Sequence, residues 1–273
     1  MKTLLVSALV WVSAAAAAAP PQRIVTLGGA VTEIVYALDA GDRLVGTDSS
    51  SNYPPAARKL PQVGYYRGFA IEGVASLQPD LVLASEQAGP PAAVEQLRRL
   101  GKRVVTLPAA PTVEALERRI TGVAEALGTK EAGNALVQKI RAQVAQASQV
   151  RGGPRVLLVS SHTGKLEGAG VDTAADAVLR LAGATNVLSA EKGYKAISGE
   201  SAAALRPEVI VTTTMSVTAL GGLDAFLAQP GLAVTPAARD KRVIVMDDLL
   251  LLGFGPRLPE ALRQLQAGFA ARP

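Results

Sequence analysis

The sequence predicts an α/β protein made of two similar lobes, each with a mainly parallel central sheet. Three observations carry that prediction. Short apolar, β-branched runs alternate with helix-like stretches in both halves of the chain. Two consecutive helical patterns, residues 113–127 and 130–150, separate the halves. A unit of acid, short helix, proline, acid and apolar run occurs twice, as AIEGVASLQPDLVL (Ala70–Leu83) and SGESAAALRPEVIV (Ser198–Val211). Glu72 precedes Pro79 by seven positions, and Glu200 precedes Pro207 by seven. An internal repeat of this kind implies two lobes built alike.

The elements follow in order. IVTL (Ile24–Leu27) is a strand that ends at Gly28-Gly29, and a helix with Thr32 as N-cap runs to Leu38. RLVGTD is the next strand, and Ser49–Pro55 is a polar loop. Glu72–Leu77 is a short helix stopped by Pro79, after which LVLA is a buried strand. A helix over 91–100 and the strand Arg103–Leu107 complete the first half. In the 130–150 helix, Ala132, Leu136, Ile140, Val144 and Ala147 recur at three- and four-residue steps and predict one apolar face. The second half opens on RVLLVSS, continues through a helix over 172–182 and the second repeat unit, and closes with RVIVMD and a C-terminal helix. These signals divide the chain into a signal peptide (1–19), an N-terminal lobe (20–112), a helical linker (113–152) and a C-terminal lobe (153–273).

Composition bounds the function. Of the 273 residues 49% are hydrophobic but only 4% aromatic, so the cores are mainly Ala, Val and Leu. The net charge of +5 is spread along the chain, without the dense basic patch of a nucleic-acid binder. Lys2, the apolar Leu4–Val12 and the small residues Ala14–Ala19 are laid out as a secretory signal peptide, which points to the bacterial periplasm. The chain has no Cys, so neither a disulfide nor a lipid on an N-terminal Cys is expected, and the mature protein should be a free monomer. One His is too few for an ordinary zinc or manganese carrier. Neither G-x-G-x-x-G nor G-x-S-x-G occurs, and no catalytic apparatus is legible, which argues against a secreted hydrolase.

The chemistry concentrates at Gly64-Tyr65-Tyr66-Arg67. Two phenols and a guanidinium meet there on a glycine-bounded turn. In extended backbone adjacent side chains point opposite ways, so one tyrosine faces the cleft and the other packs or meets solvent. Arg67 shares its parity with Tyr65, and a guanidinium beside a phenol lowers the phenol's pKa.

Five stretches in order carry a resemblance: TLGGAVTEIVYAL, VGYYRGFAIEGVASLQPDLVL, DTAADAVLRLAGATN, GYKAISGESAAALRPEVIV and LLLLGFGPRLPEAL. Together they resemble the haem-binding periplasmic proteins of bacterial haem-uptake ABC transporters, within the wider class of cobalamin and siderophore binders. The resemblance implies two lobes joined by a long rigid helix, with the ligand, ferric haem b, in the cleft between them. It implies Tyr65 as the iron ligand through a G-Y-x-R pattern, with Arg67 as its neighbour; a phenolate is a hard donor suited to ferric iron. It places Arg257, in GFGPR, against the ligand from the other lobe, paired with a haem propionate or with the Tyr65 oxygen. Tyr66 remains the competing phenol. Tyr194 and Lys195 face the cleft region by analogy with the first repeat. His162 either contacts haem from the second lobe or is an ordinary loop residue. Glu72 and Glu200, also explicable as helix-start acids, are implied to dock on an inner-membrane ABC permease dimer. The alternative is the same fold carrying cobalamin or a ferric siderophore.

Overall fold

The computed structural model describes residues 19–161 and 165–271. The expected signal peptide therefore lies almost wholly outside the described residues, as does His162. The first half alternates strand and helix: β1 (Ile24–Leu27), α1 (Gly29–Ala37), β2 (Leu44–Thr47), α2 (Ile71–Ser76), β3 (Leu81–Ser85), α3 (Pro91–Arg99) and β4 (Val104–Leu107). The centre is α4 (Val113–Leu127) and α5 (Lys130–Ala147). The second half begins with β5 (Arg155–Ser160), β6 (Glu167–Ala169), α6 (Ala174–Leu181), β7 (Thr185–Asn186), β8 (Tyr194–Ala196), α7 (Gly199–Leu205) and β9 (Val209–Thr213). It ends with α8 (Thr214–Ala219), α9 (Leu223–Leu227), α10 (Pro236–Arg239), β10 (Val243–Met246), α11 (Asp248–Leu252) and α12 (Leu258–Ala270).

The repeat is structural. The first sheet has the order β2-β1-β3-β4, all parallel. The second has β7-β5-β9-β10, also parallel. The match reaches single side chains. Asp80 accepts from the backbone N–H of Arg23 at the foot of β1 (3.1 Å), and Glu208 accepts from that of Arg155 at the foot of β5 (2.7 Å). The Arg23 guanidinium donates to the Leu77 carbonyl, and the Arg155 guanidinium donates to the Leu205 carbonyl. Gln78 and Arg206, each just before the repeated proline, both take the left-handed conformation (φ 48 and 44). The second sheet also carries an addition the sequence did not announce. Strand β6 pairs antiparallel with the end of β5, and β8 pairs antiparallel with β6.

The lobes share one apolar core. Residues of β1 and β3, of β5 and β9, and of α1, α4, α5, α6, α11 and α12 pack in a single cluster. Fully buried side chains such as Leu116 and Ile120 contribute ~2 kcal/mol each, so the lobes are held by packing as well as by chain connection. Helix α4 matches its expected span; Thr112 caps its start by accepting from Ala115 N, and left-handed Gly128 ends it. Helix α5 is shorter than expected, about 27 Å at 1.5 Å per residue, and its buried stripe is Gly133, Val137, Ile140 and Val144. Ala132 is exposed. The stripe includes Gly133 because α4 packs against it there, where any Cβ would collide with that of Ala124. Helix α1 also corrects the sequence reading. It starts at Gly29, with Gly28 as the preceding cap at φ 124, a conformation that glycine adopts without strain. Thr32 thus lies inside the helix, buried, with its Oγ1 2.6 Å from that of Thr26 and 2.7 Å from Ser51 Oγ.

Candidate functional site

In parallel α/β sheets ligands collect at the carboxyl ends of the strands, and the tyrosine loop lies there. After β2 the chain loops out and returns alongside itself. Val63 N donates to Thr47 O, and Ser49 N donates to Gly64 O (2.8 Å). Tyr65 is extended, and Tyr66–Gly68 then forms a 3-10 turn closed by Gly68 N donating to Tyr65 O. The support of this turn is Asp48, fully buried. Its Oδ1 accepts from Gly28 N (2.9 Å) and Ser51 Oγ (2.8 Å). Its Oδ2 accepts from Ser50 N (2.9 Å), Ser50 Oγ (2.6 Å) and Tyr66 N (3.2 Å). One carboxylate therefore ties the ends of β1 and β2 to the tyrosine loop. The sequence reading passed over it; an Asp followed by three serines at a strand end was the available signal.

The 3-10 turn overturns the parity argument. Arg67 does not pair with Tyr65. Its Nε donates to Tyr66 Oη (2.9 Å), and a terminal nitrogen donates to Gln87 Oε1 (2.6 Å), just beyond β3. A tight turn rotates successive side chains by about a third of a circle, which brings residues 66 and 67 onto neighbouring directions. Tyr65 and Tyr66 meet edge to face, with ring centres 4.7 Å apart. Tyr66 is half-buried, whereas Tyr65 is 49% exposed and free to meet a ligand. Burial pushes the Tyr65 phenol up to about 12, and Tyr66 adds to the rise; Arg67 pulls the other way but by less. The expectation that Arg67 makes Tyr65 acidic therefore holds only in sign of contribution, because the guanidinium's hydrogen bond goes to Tyr66.

The second lobe presents Tyr194 and Lys195 on β8, both exposed. Arg67 and Tyr194 are close enough to influence each other's ionisation, so β8 faces the tyrosine loop across the gap between the lobes. Glu72 and Glu200 stand exposed in the first turns of α2 and α7.

Arg257 is placed elsewhere. Its Nε donates to Glu33 Oε1 (3.0 Å), a terminal nitrogen makes a second, very short contact to the same oxygen, and Asp247 Oδ1 lies at 3.7 Å. Its guanidinium stacks on the Tyr53 ring, 3.7 Å from the centroid. Glu33 is 2% exposed and belongs to α1, so the pair joins the two lobes. A carboxylate this deeply buried needs a counterion, and Arg257 supplies it; in this structure the guanidinium is committed to Glu33 and not to the Tyr65 oxygen. Burial, outweighing Arg257, pushes the Glu33 carboxyl up to about 7. The pair borders a groove of about 500 Å³ lined also by Tyr36, Lys139, Gln143 and Arg263, in which neither Tyr65 nor Arg67 takes part. Arg119 makes a second tie: from α4 it donates to the carbonyls of Pro108 and Phe254 (3.1 Å to the latter).

Comparison with known proteins agrees with this fold. The chain is similar in structure to the periplasmic haem-binding protein RhuT from Roseiflexus sp. RS-1 (TM-score 0.87, 38% identity, 91% of this chain and 97% of that one). It is similarly close to the periplasmic haem-binding protein BhuT, solved with two haems (TM-score 0.83, 42% identity, 91% and 99%), and to a periplasmic haem-binding protein from Pseudomonas aeruginosa (TM-score 0.81, 41% identity, 93% and 95%). Among curated sequences it is 30% identical, over 90% of its length and 79% of the other's, to the ABC transporter substrate-binding lipoprotein YvrC of Bacillus subtilis. A vitamin B12-binding protein of Vibrio vulnificus is 39% identical, but over only 38% of each chain. The described fold is thus that of a solute-binding protein and not of an enzyme. Residues 24–250 match the periplasmic binding protein family, and the chain belongs to that family.

Proposed function

We propose that this chain is a periplasmic haem carrier that hands its cargo to an inner-membrane ABC permease. The observation that carries the reading is the combination of 38–42% identity to haem-binding proteins over nearly the whole chain with an exposed Tyr65 adjoining the hydrogen-bonded Tyr66–Arg67 pair at the carboxyl ends of the strands. Ferric haem enters the gap between the tyrosine loop and β8, and Tyr65 ligates the iron. In the free protein the Tyr65 phenol is neutral; binding ferric iron displaces its proton, as metals do with coordinated acids. Arg67, held in place by Tyr66 and Gln87, offsets the charge of the phenolate, and Lys195 pairs with a propionate. Arg257 acts at the lobe junction. Glu72 and Glu200, at matched positions on the two lobes, dock on the two permease subunits and set orientation and encounter rate more than affinity.

The second reading is a cobalamin carrier, favoured by the vitamin B12-binding relatives. Titration of the mature protein with ferric haem, and separately with cobalamin and a ferric siderophore, separates the two. The haem reading predicts a stoichiometric Soret complex that excess cobalamin does not displace. A cobalamin complex with no Soret change would overturn it.

A further inference from the structure

The repeat extends past the acid-helix-proline unit that first reveals it. Counting back five residues from Glu72 reaches Arg67 and from Glu200 reaches Lys195; counting back six reaches Tyr66 and Tyr194. No insertion interrupts either count. The acid and the positions after it keep the match: Glu72 and Glu200 are both exposed, Val74 and Ala202 are both fully buried, and Pro79 and Pro207 are both buried. A glycine at positive φ stands shortly before each tyrosine, Gly64 (φ 94) and Gly193 (φ 72). Each lobe therefore carries a phenol followed by a cation at the same place relative to its permease-side helix.

The local backbone differs between the copies, and the difference has a consequence. In the first lobe the segment curls into a 3-10 turn, so the Tyr66 hydroxyl is consumed by Arg67 and Gln87. In the second lobe it is drawn out as β8, held by β6 through the pairings Ala169–Tyr194 and Gly168–Lys195. Among the described residues, the Tyr194 hydroxyl has no hydrogen-bond partner, and the residue, the largest of that strand, is 42% exposed. An aromatic with an apolar face and a polar tip, partly exposed on a strand that faces the opposite lobe, is placed to meet a ligand in the gap.

We propose that Tyr194 is a ligand-contacting residue of the second lobe, laying its ring against the flat ligand held by the tyrosine loop. The inference rests on the haem reading and deepens it by naming what grips the ligand from the other side. The repeat supplies the placement, the antiparallel β6–β8 addition supplies the rigid support, and the exposed part of the ring supplies the contact. Such a flat aromatic surface selects a planar macrocycle with open faces, and it offers less to a corrin whose faces are already covered by axial groups.

The test compares the mature wild type with Tyr194→Ala and Tyr194→Phe. Ferric haem affinity, haem dissociation into apomyoglobin and induced Soret circular dichroism are measured, with the denaturation midpoint of each apo-protein as the folding control. Loss of the ring should weaken affinity about tenfold, as for a central aromatic contact, speed dissociation and change the Soret dichroism, with the apo midpoint unmoved. The Phe variant should stay close to wild type. If Tyr194→Ala keeps wild-type affinity, dissociation and dichroism, or if Phe fails as Ala does, the proposal is overturned while the haem reading stands. If wild type binds no haem, the haem reading itself falls, and this inference with it.

Discussion

The loop after β2 and the segment after β7 start from the same frame and end in different chemistry. Both lead into a short helix with an exposed acid, a buried proline and a core strand. In the first lobe the connection is long and wraps a buried carboxylate, Asp48, whose five hydrogen bonds hold a tight turn and its tyrosines. In the second lobe the connection is straightened into an antiparallel strand, and the buried polar hub forms on β7. There Asn186 donates to Asp176 and to the Ala169 carbonyl and accepts from Leu188 N. A duplicated scaffold thus keeps the exposed acid, the buried proline and the core strand, and varies the segment that precedes them.

The two hubs can be broken separately. Asp48→Ala strands several buried donors at once and should cost ~3 kcal/mol or more, read from the denaturant midpoint, with the spectrum of any bound haem altered as well because Tyr66 N loses its acceptor. Asn186→Ala removes three bonds, one of them to the Asp176 carboxyl group, and should cost about 1–3 kcal/mol, leaving that spectrum as it is. Equal spectral effects from the two would mean that Asp48 is merely structural.

The junction between the lobes gives a pH test. The Glu33 carboxyl is raised from 4.5 to about 7 in the folded chain, so between those values the folded state holds a proton that the unfolded state has released. The contribution to stability is fully present below about pH 4.5 and is lost as pH rises through 7, amounting to roughly 1–3 kcal/mol. Wild type should therefore gain stability relative to Glu33→Gln as pH falls from 8 to 5. A constant difference between the two across that window would contradict the assignment of Glu33.

A smaller effect distinguishes the repeated helices. Ser198 caps α7 in a reciprocal capping box with Ser201, whereas Ala70 precedes α2 with no side-chain cap. Ser198→Ala should cost ~1 kcal/mol, and Ala70→Ser should recover a few tenths to ~1 kcal/mol in the other lobe. Thermal midpoints measure both, and an Ala70→Ser variant no more stable than wild type would show that the α2 start lacks the geometry for a cap.

Local pattern made most of the scaffold readable. The strand at Ile24–Leu27, the helix at Val113–Leu127 and the paired acid-proline units depend on residues within a turn or two of each other, and there the expectation and the structure agree. What was missed depends on residues far apart. Thr32 looked like a helix cap until Gly28 took that place and the end of the serine loop claimed its hydroxyl. The apolar face of α5 runs through Gly133 and not Ala132, because α4 packs against Gly133. Arg257 pairs with Glu33, 224 positions away and in the other lobe, a partner that no local pattern announces. The chemistry of the tyrosine loop was legible as a cluster of residue types; which phenol Arg67 would hold was not, since that depends on a 3-10 turn and on Gln87 from the next strand end.

The most direct test of the account takes the visible spectrum of the ferric haem complex in Tyr65→Phe and Tyr66→Phe. The account predicts that Tyr65→Phe loses the tyrosinate charge-transfer bands and most of its affinity, while Tyr66→Phe keeps the bands and binds more weakly as Arg67 loses one of its anchors. Bands that survive in Tyr65→Phe and vanish in Tyr66→Phe would move the iron to the phenol that Arg67 already holds and contradict the proposed site.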